Sequence, residues 1–258
     1  MDTHAIVNYH VGSSGEQAFR VDADGANGTL TAPELAPTGV AVRDVRNGIK
    51  LAFAGEGVTF VNRASAIRHF DASNDWQQAY DQELAALLAE EIGAKETIVF
   101  DHTVRIDDPA ALRRPARNVH TDYSPASARQ RLRALLGEDV AASWEAGHYA
   151  FVNVWRPVGK RIVSAPLGFV RPASVAAEDW IPIDVVYPDR VGAIYGLLAN
   201  DAHDWIYLSG MSPDEVAVFN IFDNRGRPAI AHSALDLIDG VAASSPRMSV
   251  ESRTLVRY

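Results

Sequence analysis

From residue 147 to the C-terminus the chain keeps one texture: short apolar or alternating runs, each closed by Pro, Gly, Asp or Asn. HYAFVNVWR, RIVSAPLGFV, WIPIDVVY, AIYGLLA, DWIYLS, EVAVFNIFD, PAIAHSA and SVESRTLVRY follow one another with little between them. Parallel strands need crossovers of a dozen residues or more, usually helical, and these breaks are too short for that. The strands must turn back on one another and bury their apolar faces as a sandwich or barrel. The pattern predicts a mainly β fold with flanking helices, built on a double-stranded β-helix: a jelly-roll, cupin-like core.

Upstream, HAIVNYHV, GVAVRDVR and KLAFAGEGVTFVN read as further strands separated by Gly-rich turns. Two helices stand out. Residues 74–93 carry Trp76, Tyr80, Leu84, Leu87 and Leu88 at helical spacing, with Asn74 or Asp75 as cap and Gly93 as stop. SPASARQRLRALLG offers Ser124 as N-cap, Pro125 at the first helical position and Gly137 as terminator. No linker-like stretch divides the chain. The expectation is one domain over 1–258, with residues 1–65 as an N-terminal β extension and 97–258 as the jelly-roll core.

The chain has no cysteine, which removes disulfides, Cys–zinc sites, Fe–S clusters and thiol nucleophiles. Its net charge of −9 repels nucleic acid and anionic membranes, so neither is an expected partner. No apolar run approaches the ~20 residues of a membrane span. MDTHAIVNYHVGSS has neither a basic start nor a long apolar core, so no signal peptide is expected and the cytoplasm is the expected compartment.

The chemistry concentrates in NVHTDYSPAS, where His120 and Asp122 stand two residues apart. On a strand such residues project from one face and can converge on one ion. Composition alone produces an HxD triplet often, and this sequence holds a second one, His69-Phe-Asp71, which lies just before a helix start and reads as turn chemistry. What sets the first apart lies downstream. His232 sits in a late strand, and Arg247 and Ser249 follow fifteen and seventeen residues on. Two histidines and one carboxylate form the facial triad of non-haem Fe(II) oxygenases. An arginine offers a planar fork to the far carboxylate of 2-oxoglutarate, and Ser249, on the same strand face, can add a hydrogen bond. The plainer reading stays open: a strand-end Asp122 capping the next helix, two histidines of the core or surface, and a solvated arginine.

The joint pattern H-x-D…H-x14-R-x-S resembles the Fe(II)/2-oxoglutarate-dependent oxygenases. FDHTVR, VHTDYS, FVNVWRP, PLGFV, HDWIYLSGMSPDEVAVFNIFD, AHSALD and PRMSVESR resemble the CmcJ/NvfI-type oxidoreductases of secondary metabolism within them. The resemblance spans roughly residues 40–258, which leaves the first forty residues as the expected place of a substrate lid, and Leu235 replaces the phenylalanine of the usual HSAF. It implies Fe(II) held by His120, Asp122 and His232, 2-oxoglutarate held by Arg247 and Ser249 with Asn153 assisting, and O₂ as oxidant. It further implies hydroxylation, desaturation or oxidative cyclisation of a small-molecule natural-product intermediate, with release of succinate and CO₂.

His102, Arg105, Tyr123, Trp155 and Arg156 are the substrate candidates. For each a structural role competes: His102 beside aromatics, Trp155 in the core, and Arg156 paired with Glu215 or Asp223. Tyr123 would point away from the triad if the strand continued. Arg253 and Arg257 read as surface or structural charges, Trp205 and Tyr207 as core, and the RRPAR run as a solvated face. The rival functions are a His₂Asp zinc hydrolase, a non-catalytic jelly-roll binding protein and a sandwich used in protein contacts. A homodimer stays open.

Overall fold

A computed structural model describes residues 2–12, 17–20, 34–189, 191–240 and 246–258. In chain order the strands are β1 (Thr3–His10), β2 (Ala18–Arg20), β3 (Leu35–Asp44), β4 (Val58–Asn62) and β5 (Glu96–Ile106). They continue with β6 (His120–Thr121), β7 (Tyr149–Pro157), β8 (Leu167–Val170), β9 (Trp180–Val186) and β10 (Val191–Leu197). The last are β11 (Trp205–Tyr207), β12 (Glu215–Asp223), β13 (Ala231–Ala234), β14 (Asp236–Leu237) and β15 (Met248–Arg257). The helices are α1 (Phe53–Glu56), α2 (Gln77–Ile92), α3 (Pro125–Leu136) and α4 (Glu138–Ala146).

The strands form two curled sheets, as a jelly roll requires. The larger runs β14-β1-β3-β11-β8-β13-β6-β10-β9-β2 and the smaller β4-β12-β7-β15-β5. β7 shows how sequence sets the layers. Every one of its residues is buried, because both of its faces are covered. Phe151 and Trp155 point into the core between the sheets. Ala150, Val152 and Val154 point the other way, onto Tyr80, Leu84, Leu87 and Leu88 of α2. Burying each of those leucines is worth roughly 1.5–3 kcal/mol, so the apolar face of α2 holds it on the small sheet. Trp205 and Tyr207 are core residues on the opposite face of the large sheet.

Part of the local reading changes. Helix α2 begins at Gln77, and neither Asn74 nor Asp75 supplies a side-chain cap. Asn74 instead takes a left-handed backbone (φ 61°), and its carbonyl accepts from Gln77 N–H. Asparagine tolerates that conformation better than most residues do, so its backbone rather than its side chain starts the turn. Gly93 ends the helix as expected, at φ 73°. The run RIVSAPLGFV forms a strand only over Leu167–Val170. Helix α4, over EDVAASWEA, was not expected from the sequence; it stacks on α3 through Ala141 and Trp144. KLAFAGEGVTFVN splits into α1 and β4 around Gly57, whose φ of 70° closes the short helix. The lid expected in the first forty residues falls partly on 13–16 and 21–33, outside the described residues.

Candidate metal centre

His120 lies in β6 and His232 in β13, and the two are direct cross-strand partners in the antiparallel ladder. Register alone brings their imidazoles together, with ring centroids 4.6 Å apart. The strand ends at Thr121, so Asp122 sits in the short link to α3. That link is fixed from its far side: Ser124 caps α3 in a reciprocal box with Ser127, and Pro125 opens the helix. The Asp122 carboxylate thereby turns back to His120, with Oδ1 3.6 Å from Nε2. One donor atom from each of His120, Asp122 and His232 lies within 4.8 Å of the other two.

Backbone carbonyls set the tautomers. His120 Nδ1 donates to Asn118 O at 2.8 Å and His232 Nδ1 donates to Ile230 O at 3.2 Å. A carbonyl only accepts, so each Nδ1 carries the proton and each Nε2 presents a bare lone pair, as a metal ligand must. Burial holds His232 neutral, pushing its pKa down to about 4, with the neighbouring His120 adding to the effect. The rings of Phe219 and Phe169, at 4.9 and 6.3 Å, form its apolar wall. Burial alone would raise the Asp122 carboxyl. The Arg253 guanidinium is the leading influence that outweighs it, and the group is held well below the usual carboxylate range.

On the facing small sheet, Arg247 and Ser249 are buried, 5% and 0% exposed. Arg247 stacks over Trp155, 5.1 Å from the ring centroid, yet its Nε and Nη1 have no hydrogen-bond partner. The Ser249 hydroxyl is likewise buried and unpaired. Burial pulls the Arg247 pKa down to about 9, with Arg105 the leading neighbouring charge. Buried donors are almost always paired in folded proteins, so three orphaned donors at the start of β15, on Arg247 just before it and Ser249 within it, mark a place for a ligand acceptor. Two bare imidazole nitrogens, one ionised carboxylate and a neighbouring pair of unpaired carboxylate-binding groups fit a hard divalent metal and an oxo-diacid.

The other expected site residues divide by strand face. Asn153 is at the centre but bonds Asp122, donating from Nδ2 to Oδ2 at 2.7 Å. Arg105 is the register partner of Ser249 and shares its inward face, while its Nη1 donates to Arg114 O. Trp155 is a core residue whose ring carries Arg247. Tyr123 follows the strand end, so alternation does not govern it, and it packs on Phe151 with centroids 4.8 Å apart. His102 and Arg156 lie on the outer face, away from the centre. His102 bonds Asp81 and Ser252 and packs on Trp76. Arg156 donates to Tyr80 Oη and to the carbonyls of Arg63 and Pro213, and neither Glu215 nor Asp223 pairs with it. His69 and Asp71 remain apart from the centre, with Asp71 accepting from Ser73 N–H and Oγ in a turn. Arg113 and Arg114 of RRPAR are exposed, while Arg117 pairs with Asp107 and Asp236.

Arg253 is the residue that sequence reasoning misplaced. It reaches Asp122 Oδ2 at 3.4 Å and is gripped by Asp101 at 2.6 Å and Glu251 at 2.8 Å. Strand alternation from Ser249 through Glu251 to Arg253 was the signal that could have found it.

The comparisons agree with this geometry. A protein-family pattern described as "Oxidoreductase/YMDC permease-like domain" matches residues 7–257. Among the described residues, no helix is long and apolar enough to cross a membrane. The "Hydroxylase/desaturase efuI" of Hormonema carpetanum is 30% identical over 250 residues, covering 84% of this chain and 82% of that one. The "Alpha-ketoglutarate-dependent dioxygenase phiK" of a fungal species is 28% identical over 220 residues, 79% of this chain and 78% of its own length. A solved structure of the iron and alpha-ketoglutarate-dependent endoperoxidase NvfI superposes with a TM-score of 0.88 at 25% identity, over 100% of this chain and 97% of that chain. A chain with this fold, this His–Asp–His convergence and these relatives belongs to the Fe(II)/2-oxoglutarate-dependent oxygenases, in their CmcJ/NvfI-type oxidoreductase family.

Proposed function

We propose that this enzyme oxidises a small natural-product intermediate, using Fe(II), 2-oxoglutarate and O₂ and releasing succinate and CO₂. His120 Nε2, Asp122 Oδ1 and His232 Nε2 are the atoms that would hold the metal. Bound there with 2-oxoglutarate, Fe(II) supplies the oxidative decarboxylation that drives attack on a substrate C–H bond. The chain's own part is positional. Arg247 and Ser249 take the far carboxylate, which fixes the direction in which the keto acid lies. The neutral imidazole of His232 and the ionised Asp122 keep the donor set in its binding state without a proton having to leave. Phe169 and Phe219 exclude water on the His232 side.

The observation that carries this reading is the orphaned pair Arg247 and Ser249 at the start of β15, in the sheet opposite the two histidines. A zinc hydrolase has no need of a buried, unpaired guanidinium at that place, and a non-catalytic binding module has no need of three converging metal donors. Hydroxylation, desaturation and cyclisation share this machinery, and the bound substrate's geometry decides among them. The absence of cysteine suits a reducing cytoplasm. The test is direct. Anaerobic protein with Fe(II) should develop a weak visible charge-transfer band on addition of 2-oxoglutarate, and admitting O₂ should release succinate. A protein that shows neither with Fe(II), but hydrolyses esters or amides with Zn(II), would overturn the reading.

A further inference from the structure

Asp122 has two oxygens, and the structure treats them differently. Oδ1 faces His120 Nε2 at 3.6 Å. Oδ2 accepts from Asn153 Nδ2 at 2.7 Å and from Arg253 Nε at 3.4 Å. Asn153 and Arg253 are direct register partners on β7 and β15, and Asp101 is the register partner of Arg253 on β5. One row across the small sheet, Asp101–Arg253–Asn153, therefore reaches over to a single oxygen of a carboxylate rooted on the other sheet. Arg253 cannot swing away easily, because Asp101, Glu251 and the Thr103 hydroxyl hold the remaining edges of its guanidinium.

We propose that Asn153 and Arg253 restrict Asp122 to one-oxygen coordination of the metal. This inference rests on the metal assignment above. An octahedral ion has six positions. Three single-atom protein ligands leave three, enough for a chelating keto acid and one O₂. A two-oxygen aspartate would take a fourth, and oxidant or cosubstrate would lose its place. Both donors bind the oxygen that must stay off the metal. They act as positioning residues, because both hold the oxygen of the ligating carboxylate that stays off the metal.

Asn153→Ala is the deciding variant, since it leaves every ion pair of the Arg253 cage intact. Arg253→Lys, which keeps the charge and loses the planar fork, is the second. Each is compared with the unaltered enzyme in three measurements: the melting temperature without metal, Co(II) and Fe(II) affinity by chelator competition, and the Co(II) d–d spectrum with and without 2-oxoglutarate. Metal affinity should fall roughly 10–100-fold in Asn153→Ala. Its Co(II) spectrum should differ in intensity from that of the unaltered enzyme, reporting a changed coordination number. Arg253→Lys should fall between the two. A variant that melts lower but binds metal as tightly as the unaltered enzyme, with the same Co(II) spectrum, would show a merely structural role and overturn the proposal. An unaltered enzyme that binds no Fe(II) would instead overturn the metal assignment itself.

Discussion

Arg247→Met should stabilise the ligand-free protein while disabling it as a binder of 2-oxoglutarate. Arg247 is 5% exposed, two of its nitrogens lack partners, and burial lowers its pKa from 12.5 to about 9. A cation whose pKa falls on folding costs stability at every pH where the unfolded chain would carry the charge. An unpaired buried polar group costs ~1–3 kcal/mol, more when charged. Against this stands the stacking on Trp155, worth ~0.5–2 kcal/mol. Methionine keeps the length and the apolar packing, so a net gain of about 1 kcal/mol remains, or a rise of roughly 2–4 °C in melting temperature for a chain of this size. The cosubstrate arm runs the other way. Losing a charge-assisted fork costs ~1.5–3 kcal/mol, about 10–150-fold in affinity. At a concentration about 100 times its dissociation constant, 2-oxoglutarate stabilises the unaltered Fe(II) protein by ~2.7 kcal/mol. If affinity falls ~100-fold, the same concentration adds only ~0.4 kcal/mol. Thermal melts under anaerobic Fe(II), with and without 2-oxoglutarate, measure both arms. A variant that melts lower without ligand and still shows the full 2-oxoglutarate shift would refute the reasoning.

Two further perturbations test the scaffold. His10 is buried at the end of β1, and burial, with a smaller contribution from His120, lowers its pKa from 6.5 to about 4. The unfolded chain takes up that proton first, so stability is complete above pH 6.5 and drains as pH falls toward 4, by at most ~3 kcal/mol. His10→Gln should flatten urea-unfolding stability across that window, and a profile as steep as the unaltered protein's would count against the account. Gly168 lies in β8, where an added Cβ would sit 2.7 Å from the Leu235 side chain. Gly168→Ala should cost ~1–3 kcal/mol. Combined with Leu235→Ala it should cost less than the two single changes together, by roughly 1 kcal/mol or more, whereas strict additivity in denaturant melts would show that the crowding is not felt.

The sequence carried the site in proportion to how local each signal was. Ser124 and Pro125 announce α3 within four residues, and that cap helps aim Asp122. Alternation in FVNVWRP places Phe151, Asn153 and Trp155 on one face correctly. His232 was found because a histidine in a late strand, followed by Arg247 and Ser249, makes a pattern of several parts. What remained hidden depends on register between distant strands. Nothing near Arg253 says that Asp101 and Asn153 flank it across the sheet, and so it read as a surface or structural charge. His102 lies three residues from Arg105 on β5, and only knowing which face α2 covers separates the two. Arg156 looked like a salt-bridge partner, but its guanidinium satisfies backbone carbonyls of two loops, which carry no sequence signature. Asn74 misled because its side chain suggested a cap while its backbone did the work.

The histidines of the triad and the proposed keto-acid anchor stand on opposite walls. His120 and His232 belong to the large sheet, Ser249, Asn153 and Arg253 to the small one, and Arg247 immediately precedes β15. The distance between the histidine pair and that anchor therefore depends on how the two walls pack around a core that includes Phe151, Trp155, Phe169 and Phe219. A loosened or swollen interior would part the histidine pair from the anchor and pull Asn153 and Arg253 off Asp122, so turnover should fade at temperatures where both sheets are still intact.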